Sequence, residues 1–155
     1  MRYISHRGNI EGRVIESENH PDYIHYAIVK GYDVEIDVWW VDSKLWLGHD
    51  EPQHEIELDW LIRHSHFIWI HCKNVKSLSY FSEYNRGNDT FNFFWHEEDT
   101  ATLTSKGYIW AYPGKQPIEG SIAVMPEIHN DDISKCWGIC SDYVKKYQDE
   151  EGQIG

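Results

Sequence analysis

The stretch YDVEIDVWW, residues 32–40, alternates apolar and acidic side chains without interruption up to its closing tryptophans. Because successive side chains of a β-strand point to opposite faces, the pattern predicts a strand with Asp33, Glu35 and Asp37 on one face. On an antiparallel edge strand, such an acidic face simply meets water. A parallel strand is covered on both faces, so there the acidic side chains require a partner or a cation.

Strand and helix signals alternate on both sides of this stretch. Residues 3–5 predict a first strand, and a helix then begins at Pro21, a residue suited to the first helical position, with Asn19 available to cap the free amides. Further strands are predicted over 45–47, 67–73, 91–95, 108–112, 121–125 and 137–141, and further helices around 58–62 and 78–84. This alternation predicts an α/β fold whose parallel strands form a barrel or a doubly wound sheet.

The length of the chain limits the size of any barrel. With 155 residues, the chain fits one domain over residues 1–155. A full eight-fold barrel takes about 250 residues, so we expect a small or incomplete barrel with trimmed helices. The connection over 113–120 is too short and too rich in proline and glycine to form a helix.

Composition excludes several classes of function. The formal net charge is −12, and a surface of that sign repels nucleic acid, whereas a small phosphate ester remains compatible because a bound metal reverses the field locally. No apolar run reaches the length of a membrane span or a signal peptide. Cys72, Cys136 and Cys140 do not form a zinc-ligand pattern. We therefore expect a cytoplasmic protein with reduced thiols and no membrane span.

Glu35 and Asp37 are the first candidates for chemistry. Two carboxylates at i and i+2 on a strand lie about 6–7 Å apart along the chain, and they repel each other unless a cation lies between them. Oxygen ligands suit Mg²⁺ or Ca²⁺ better than a softer metal.

Two histidine-containing segments are the other candidates. His6 and Arg7 follow the first strand, and His49 follows the strand over 45–47. Arginine can hold a phosphate through its planar fork of donors, and two histidines can exchange protons with the attacking and leaving oxygens. A single histidine indicates little here, because the chain contains 10 of them.

What distinguishes these residues is their order, in the first third of the chain, as His6-Arg7-Gly8, Glu18-Asn19, Glu35-x-Asp37 and His49-Asp50. This series resembles the signature of the glycerophosphodiester phosphodiesterase family. The resemblance implies a TIM-type barrel with its site at the carboxyl ends of the strands. It also implies His6 and His49 as catalytic acid and base, Arg7 as a phosphate ligand, and Glu35 and Asp37 as ligands of Mg²⁺ or Ca²⁺. The implied activity is metal-dependent hydrolysis of a small glycerol- or lipid-derived phosphodiester.

The chain departs from the family on the third strand, where members carry Glu-x-Lys. Here the segment is His71-Cys72-Lys73, so the resemblance places Lys73 at the phosphate and puts His71 in the position of a metal-binding carboxylate. His71 either acts as a nitrogen ligand, which shifts the preference toward a transition metal, or marks a weakened metal site. Asp142, in a segment similar to the family's last strand, is expected to have a structural, capping role.

Several alternatives remain open. The chain is either a catalyst, a non-catalytic module that binds phosphate esters, or a lyase like the related sphingomyelinase D-like enzymes, which form cyclic phosphates. A further interpretation is a partner-binding domain, based on tryptophans expected around the site, namely Trp39, Trp40, Trp46 and Trp60. Because missing helices would expose apolar strand faces, we also predict a homodimer.

Overall fold

The structure is a computed structural model that describes the backbone of residues 1–154 and the side chains of residues 1–152. Its strands are β1 (Arg2–His6), β2 (Asp33–Val41), β3 (Lys44–Leu47), β4 (His54–Ile56), β5 (Ile68–Cys72), β6 (Asn92–Phe94), β7 (Ala101–Leu103), β8 (Ile109–Ala111), β9 (Ile122–Val124) and β10 (Gly138–Ser141). Its α-helices are α1 (Pro21–Val29), α2 (Leu58–Arg63), α3 (Val75–Tyr84) and α4 (Val144–Ile154), and short 3₁₀ turns lie at Ile15–Ser17 and Pro126–Ile128.

The strands form one 10-stranded, curled sheet of mixed pairing. Parallel ladders join neighbours in the order β6, β5, β2, β1, β10, β9 and β8, so the first strand lies between the second and the last. Antiparallel ladders add β3 and β4 beyond β2, and β7 beyond β8. The α/β class and the parallel strands are confirmed. The sheet is not wholly parallel, however, and within residues 1–154 no ladder joins β6 to β8.

The start of α1 differs from the prediction. Its N-cap is His20, whose ring Nδ1 accepts a hydrogen bond from the backbone N–H of Asp22 at 3.1 Å. Asn19 adopts a left-handed conformation with φ 64°, and its side-chain oxygen accepts from the backbone N–H of Asp37 at 3.0 Å. The predicted capping role of Asn19 is therefore wrong, because its side chain is directed toward β2 instead.

Each face of the sheet has its own hydrophobic cluster. Val34, Ile36 and Val38 belong to the cluster that packs against helices on the outer face. The second cluster fills the inner face of the curl and contains Ile4, Trp69, Phe94, Trp110, Ile122 and Cys140. The predicted alternation along β2 is confirmed, and its acidic side chains share the inner face with this second cluster.

Two of the four tryptophans expected around the site lie elsewhere. Trp40 stacks on Tyr80 with ring centroids 4.5 Å apart, and Trp60 packs against the outer cluster. Trp39 pairs across the hairpin with Trp46, and its indole N–H donates to the carbonyl of Gly48 at 2.7 Å. The expected tryptophan cluster is thus divided between the two faces of the sheet.

The structure contains three elements that the sequence did not predict, namely β4, β7 and α4. The connection over 113–120 contains no helix, as predicted. Within residues 1–154, no helix combines the length and the apolar character that crossing a membrane would require.

Candidate active site

Strand register brings most of the predicted site residues to one end of the sheet. His6 of β1 lies opposite Glu35 of β2, and Asp37 of β2 lies opposite His71 of β5. Because these strands are parallel, their carboxyl ends meet at the same edge, where ligand sites of α/β sheets form. On the other side of β1, β10 pairs with it so that Ile4 lies opposite Cys140. This register places Asp142, which follows β10, beside His6.

Asp37 is completely buried and divides its two oxygens between different partners. Oδ2 accepts a hydrogen bond from Asn19 at 2.9 Å and lies 3.2 Å from Nε of Arg7. Oδ1 has no hydrogen-bond partner and lies 3.3 Å from Nδ1 of His71. Burial alone would raise the pKa of Asp37, but its interactions with His49, His71 and Arg7 outweigh burial and hold that pKa well below its usual range.

Arg7 is buried and is engaged by protein groups on several sides. It has a left-handed backbone with φ 59°, and its backbone N–H donates to the carbonyl of Glu35 at 2.9 Å. One terminal nitrogen lies 3.4 Å from Oε1 of Glu18, and the other lies 2.8 Å from Nδ1 of His49. The guanidinium is thus held at the site by contacts with the side chains of Glu18 and His49.

His49 lies at the solvent border of the site, with its side chain 39% exposed. A guanidinium can only donate, and the Arg7 nitrogen lies 2.8 Å from Nδ1 and 3.2 Å from Nε2 of His49, so one of these two ring nitrogens is the acceptor. The Nε2 of His49 lies 3.6 Å from Oδ1 of Asp50.

His6 is held by Asp142. Its Nδ1 lies 2.8 Å from Oδ1 of Asp142, and its Nε2 faces Oε1 of Glu35 at 4.0 Å. Burial alone would lower the pKa of His6, but the interactions with Asp142 and Glu35 outweigh burial and raise it. Asp142 also accepts from Nδ2 of Asn9 at 2.9 Å. Its carboxylate therefore orients His6, which differs from the expected capping role.

Glu35, Asp37 and His71 form a compact group of potential metal ligands. One ligand atom from each lies within 4.8 Å of the others. Oε1 of Glu35 and Oδ1 of Asp37 are buried and have no hydrogen-bond partner. Oε1 of Glu35 lies 4.0 Å from Nε2 of His6, and Oδ1 of Asp37 lies 3.3 Å from Nδ1 of His71. Buried carboxylate oxygens without partners carry a large free-energy cost, so the arrangement fits a bound divalent cation.

The ring of His71 is oriented by a second contact. Its Nε2 lies 2.8 Å from the backbone carbonyl of His96, which can only accept, so Nε2 carries a proton. Burial alone would lower the pKa of His71, but the carboxylates of Asp37 and Glu35 outweigh burial and raise that pKa to about 9. A ring of this kind faces the carboxylates either with a proton or with a cation between them.

Two further residues lie near the carboxyl end of β5. Lys73 directly follows the strand, is half-buried, and donates its backbone N–H to the carbonyl of Val38 at 2.9 Å. His96 was missed by sequence reasoning. Its side chain is only 7% exposed, its ring nitrogens have no hydrogen-bond partner, and its Nδ1 lies 3.7 Å from Oδ2 of Asp99. No local pattern distinguishes it among the histidines of the chain.

Two cavities are lined by residues of the loop that follows β1. A small one of about 70 Å³ is lined by Arg7, Glu18, Asn19 and His49, among others, and belongs to the site. A larger one, of about 830 Å³, is lined by none of the predicted site residues. Arg13 lines both cavities, so the loop separates the site from the larger space.

Comparisons of the chain with known protein families, with characterised proteins and with solved structures found no match.

Proposed function

We propose that this chain is a metal-dependent phosphodiesterase that hydrolyses a small glycerol- or lipid-derived phosphodiester, on a small, incomplete TIM-type barrel. The observation that carries the proposal is that His6 lies 4.0 Å from the buried Glu35 and His49 lies 3.5 Å from the buried Asp37. A site that only binds phosphate has no need of two proton-transfer groups beside a cation site.

His6 suits the role of general acid. Its hydrogen bond to Asp142 fixes the ring, favours its protonated form and leaves Nε2 facing the carboxylates of the site. From this position Nε2 would give its proton to the leaving alcohol oxygen as the P–O bond breaks.

His49 suits the role of general base. One of its ring nitrogens has a lone pair, which accepts from Arg7 in the absence of substrate. When Arg7 turns to the phosphate, this lone pair would take a proton from the attacking water as the new P–O bond forms. The exposed position of His49 gives water access to this side.

The remaining residues supply charge at the phosphate. Arg7 and Lys73 are the cationic side chains assigned to the phosphoryl oxygens. Glu35 and Asp37 would hold the divalent cation. Taken alone, two carboxylate ligands favour Mg²⁺ or Ca²⁺ at this position. When bound, such a cation withdraws charge from the phosphoryl oxygens.

A phosphate-ester binding module without turnover is the second candidate. It is favoured by the contacts of Arg7 with Asp37, Glu18 and His49, which hold the guanidinium against groups of the protein. A lyase that forms a cyclic phosphate would use the same residues, with a hydroxyl of the substrate replacing water as the nucleophile.

The test is hydrolysis of bis-p-nitrophenyl phosphate and glycerophosphocholine with Mg²⁺, Ca²⁺, Mn²⁺ or EDTA. We expect metal-dependent turnover in the wild type and its loss in His6→Ala and Glu35→Gln, while the exposed His66→Ala serves as a matched control. Phosphorus NMR of the products separates hydrolysis from cyclisation. Binding of glycerophosphocholine without turnover under any condition would favour the binding module.

A further inference from the structure

The carboxylates of Glu35 and Asp37 each have one buried oxygen without a hydrogen-bond partner. Asn19 and Arg7 engage Oδ2 of Asp37, whereas its Oδ1 and Oε1 of Glu35 are left without hydrogen-bond partners. These side chains are 0% and 2% exposed, so water cannot readily replace the missing partners. The third group that faces this space is the ring of His71.

The ring of His71 is held with Nδ1 directed at Oδ1 of Asp37 and Oε2 of Glu35. Its Nε2 donates to the carbonyl of His96, and its face stacks on Phe94 with centroids 5.1 Å apart and planes 16° apart. A hydrogen bond from one ring nitrogen to a carbonyl is the usual way in which proteins orient the other nitrogen toward a metal.

The separations favour coordination over a direct hydrogen bond. Nδ1 of His71 lies 3.3 Å from Oδ1 of Asp37 and 3.7 Å from Oε2 of Glu35. A charge-assisted hydrogen bond would measure about 2.7–2.9 Å. Neighbouring ligands of an ion bound at about 2.0–2.2 Å are roughly 3.0–3.6 Å apart, which is close to both separations.

We propose that Nδ1 of His71 is the third protein ligand of the cation held by Glu35 and Asp37, and that the site therefore takes a first-row transition ion in preference to Mg²⁺ or Ca²⁺. The inference deepens the proposed function, on which it rests for the use of the cation. Imidazole favours such ions, and the preference for Mg²⁺ or Ca²⁺ follows only from the two carboxylates taken alone.

Metal binding is measured directly, on chelator-treated protein, by isothermal titration with Zn²⁺, Mn²⁺ and Mg²⁺. Zn²⁺ binds more tightly than Mg²⁺ at most protein sites, so the informative quantity is the change in the ratio of their affinities. In His71→Glu, which restores a carboxylate, we expect this ratio to fall by about tenfold to a hundredfold. The matched control His66→Glu, at an exposed position outside the site, should leave the ratio unchanged.

Pulsed EPR of bound Mn²⁺ identifies the ligand atom. The wild type should show a ¹⁴N coupling that changes frequency when histidine is labelled with ¹⁵N and that disappears in His71→Asn. The labelling needs no substitution, so the test holds even where a variant does not fold. Absence of a histidine coupling in the wild type, or its persistence in folded His71→Asn, would overturn the inference.

These experiments distinguish a failure of the proposed role of His71 from a failure of the proposed phosphodiesterase activity. A nitrogen coupling without phosphodiester turnover supports His71 as a ligand and counts against the phosphodiesterase. Turnover supported by Mg²⁺, with no nitrogen coupling to Mn²⁺, supports the phosphodiesterase and overturns the role of His71.

Discussion

Nδ1 of His6 lies 2.8 Å from Oδ1 of Asp142, although 136 positions separate the two residues in the sequence. The contact exists because the first strand pairs with the last, which places the residues that follow each strand side by side. It directs the other ring nitrogen of His6 toward the carboxylates of β2. The orientation of a proposed catalytic histidine thus depends on a residue at the far end of the chain.

Replacing Asp142 by Asn is expected to lower the pKa of His6, because the neutral amide no longer stabilises the imidazolium. An NMR titration of the ring measures this change whether or not the protein is an enzyme. If His6 is the general acid, kcat should also fall, by about a hundredfold. The exposed Asp89→Asn is the control, and an unchanged His6 titration in Asp142→Asn would contradict the prediction.

Glu18 is expected to make stability depend on pH. Burial alone would raise its pKa, but hydrogen bonds from Arg13 and Asn9 and the charge of Arg7 outweigh burial and lower it. Its contribution to stability is therefore present above the ordinary pKa of glutamate and is lost as the pH falls through the lowered value. Glu18→Gln should lower the free energy of unfolding by about 1–3 kcal/mol at pH 7.

Measuring unfolding over a range of pH tests whether the ionised carboxylate of Glu18 is the source of this stability. Urea unfolding of wild type and Glu18→Gln between pH 7 and pH 3 should give a difference that shrinks at the acidic end. A difference that stays constant over this range would show that the ionised carboxylate is not the source of the effect.

Lys73→Met is expected to raise KM for a phosphodiester by about tenfold, the effect of losing about 1.4 kcal/mol of binding to a phosphoryl oxygen. Lys76→Met, on the exposed surface of α3, is the matched control. Initial rates over a range of substrate concentrations separate KM from kcat. Equal kinetics in Lys73→Met and Lys76→Met would remove Lys73 from the substrate site.

Phe81→Ala is expected to lower the free energy of unfolding by about 3–5 kcal/mol, because it opens a cavity in the outer cluster. Phe81 is completely buried and contacts the rings of Phe91 and Phe93 at centroid distances of 5.2 and 6.1 Å. Phe67→Ala removes a phenyl ring that is 44% exposed, so it should cost far less. Chemical denaturation measures both, and similar losses would show that α3 does not anchor the core.

The homodimer expected from the sequence stays a prediction. The prediction assumes that apolar strand faces are left uncovered, yet Ile122 and Ile139, on neighbouring strands, are buried within one chain. Sedimentation at increasing protein concentration decides the oligomeric state.

The acidic face of β2 was predictable because it is a local property. Alternation with a period of two assigns Glu35 and Asp37 to one face whatever the strand pairs with. Asn19 shows where local reasoning stops. A capping residue before a proline is a sound expectation, but the tertiary structure offers its side chain the buried Asp37, and His20 takes the cap.

Two antiparallel strands, β4 and β7, also escaped prediction. β4 and β7 have 3 residues each, too few to show a period, and they are strands only because β3 and β8 offer them a free edge. His96 was missed for a similar reason, since its burial beside His71 depends on the pairing of β5 with β6.

The sequence by itself determined the residue types available for chemistry, the α/β alternation and the face of β2 that carries the carboxylates, because each of these follows from side chains close together along the chain. Only the tertiary structure decided that Asp142 orients His6, that Arg7 is paired with acceptors of the chain, and that His71 faces Asp37. These relationships depend on the register between strands distant in sequence, and register is set by the packing of the whole sheet.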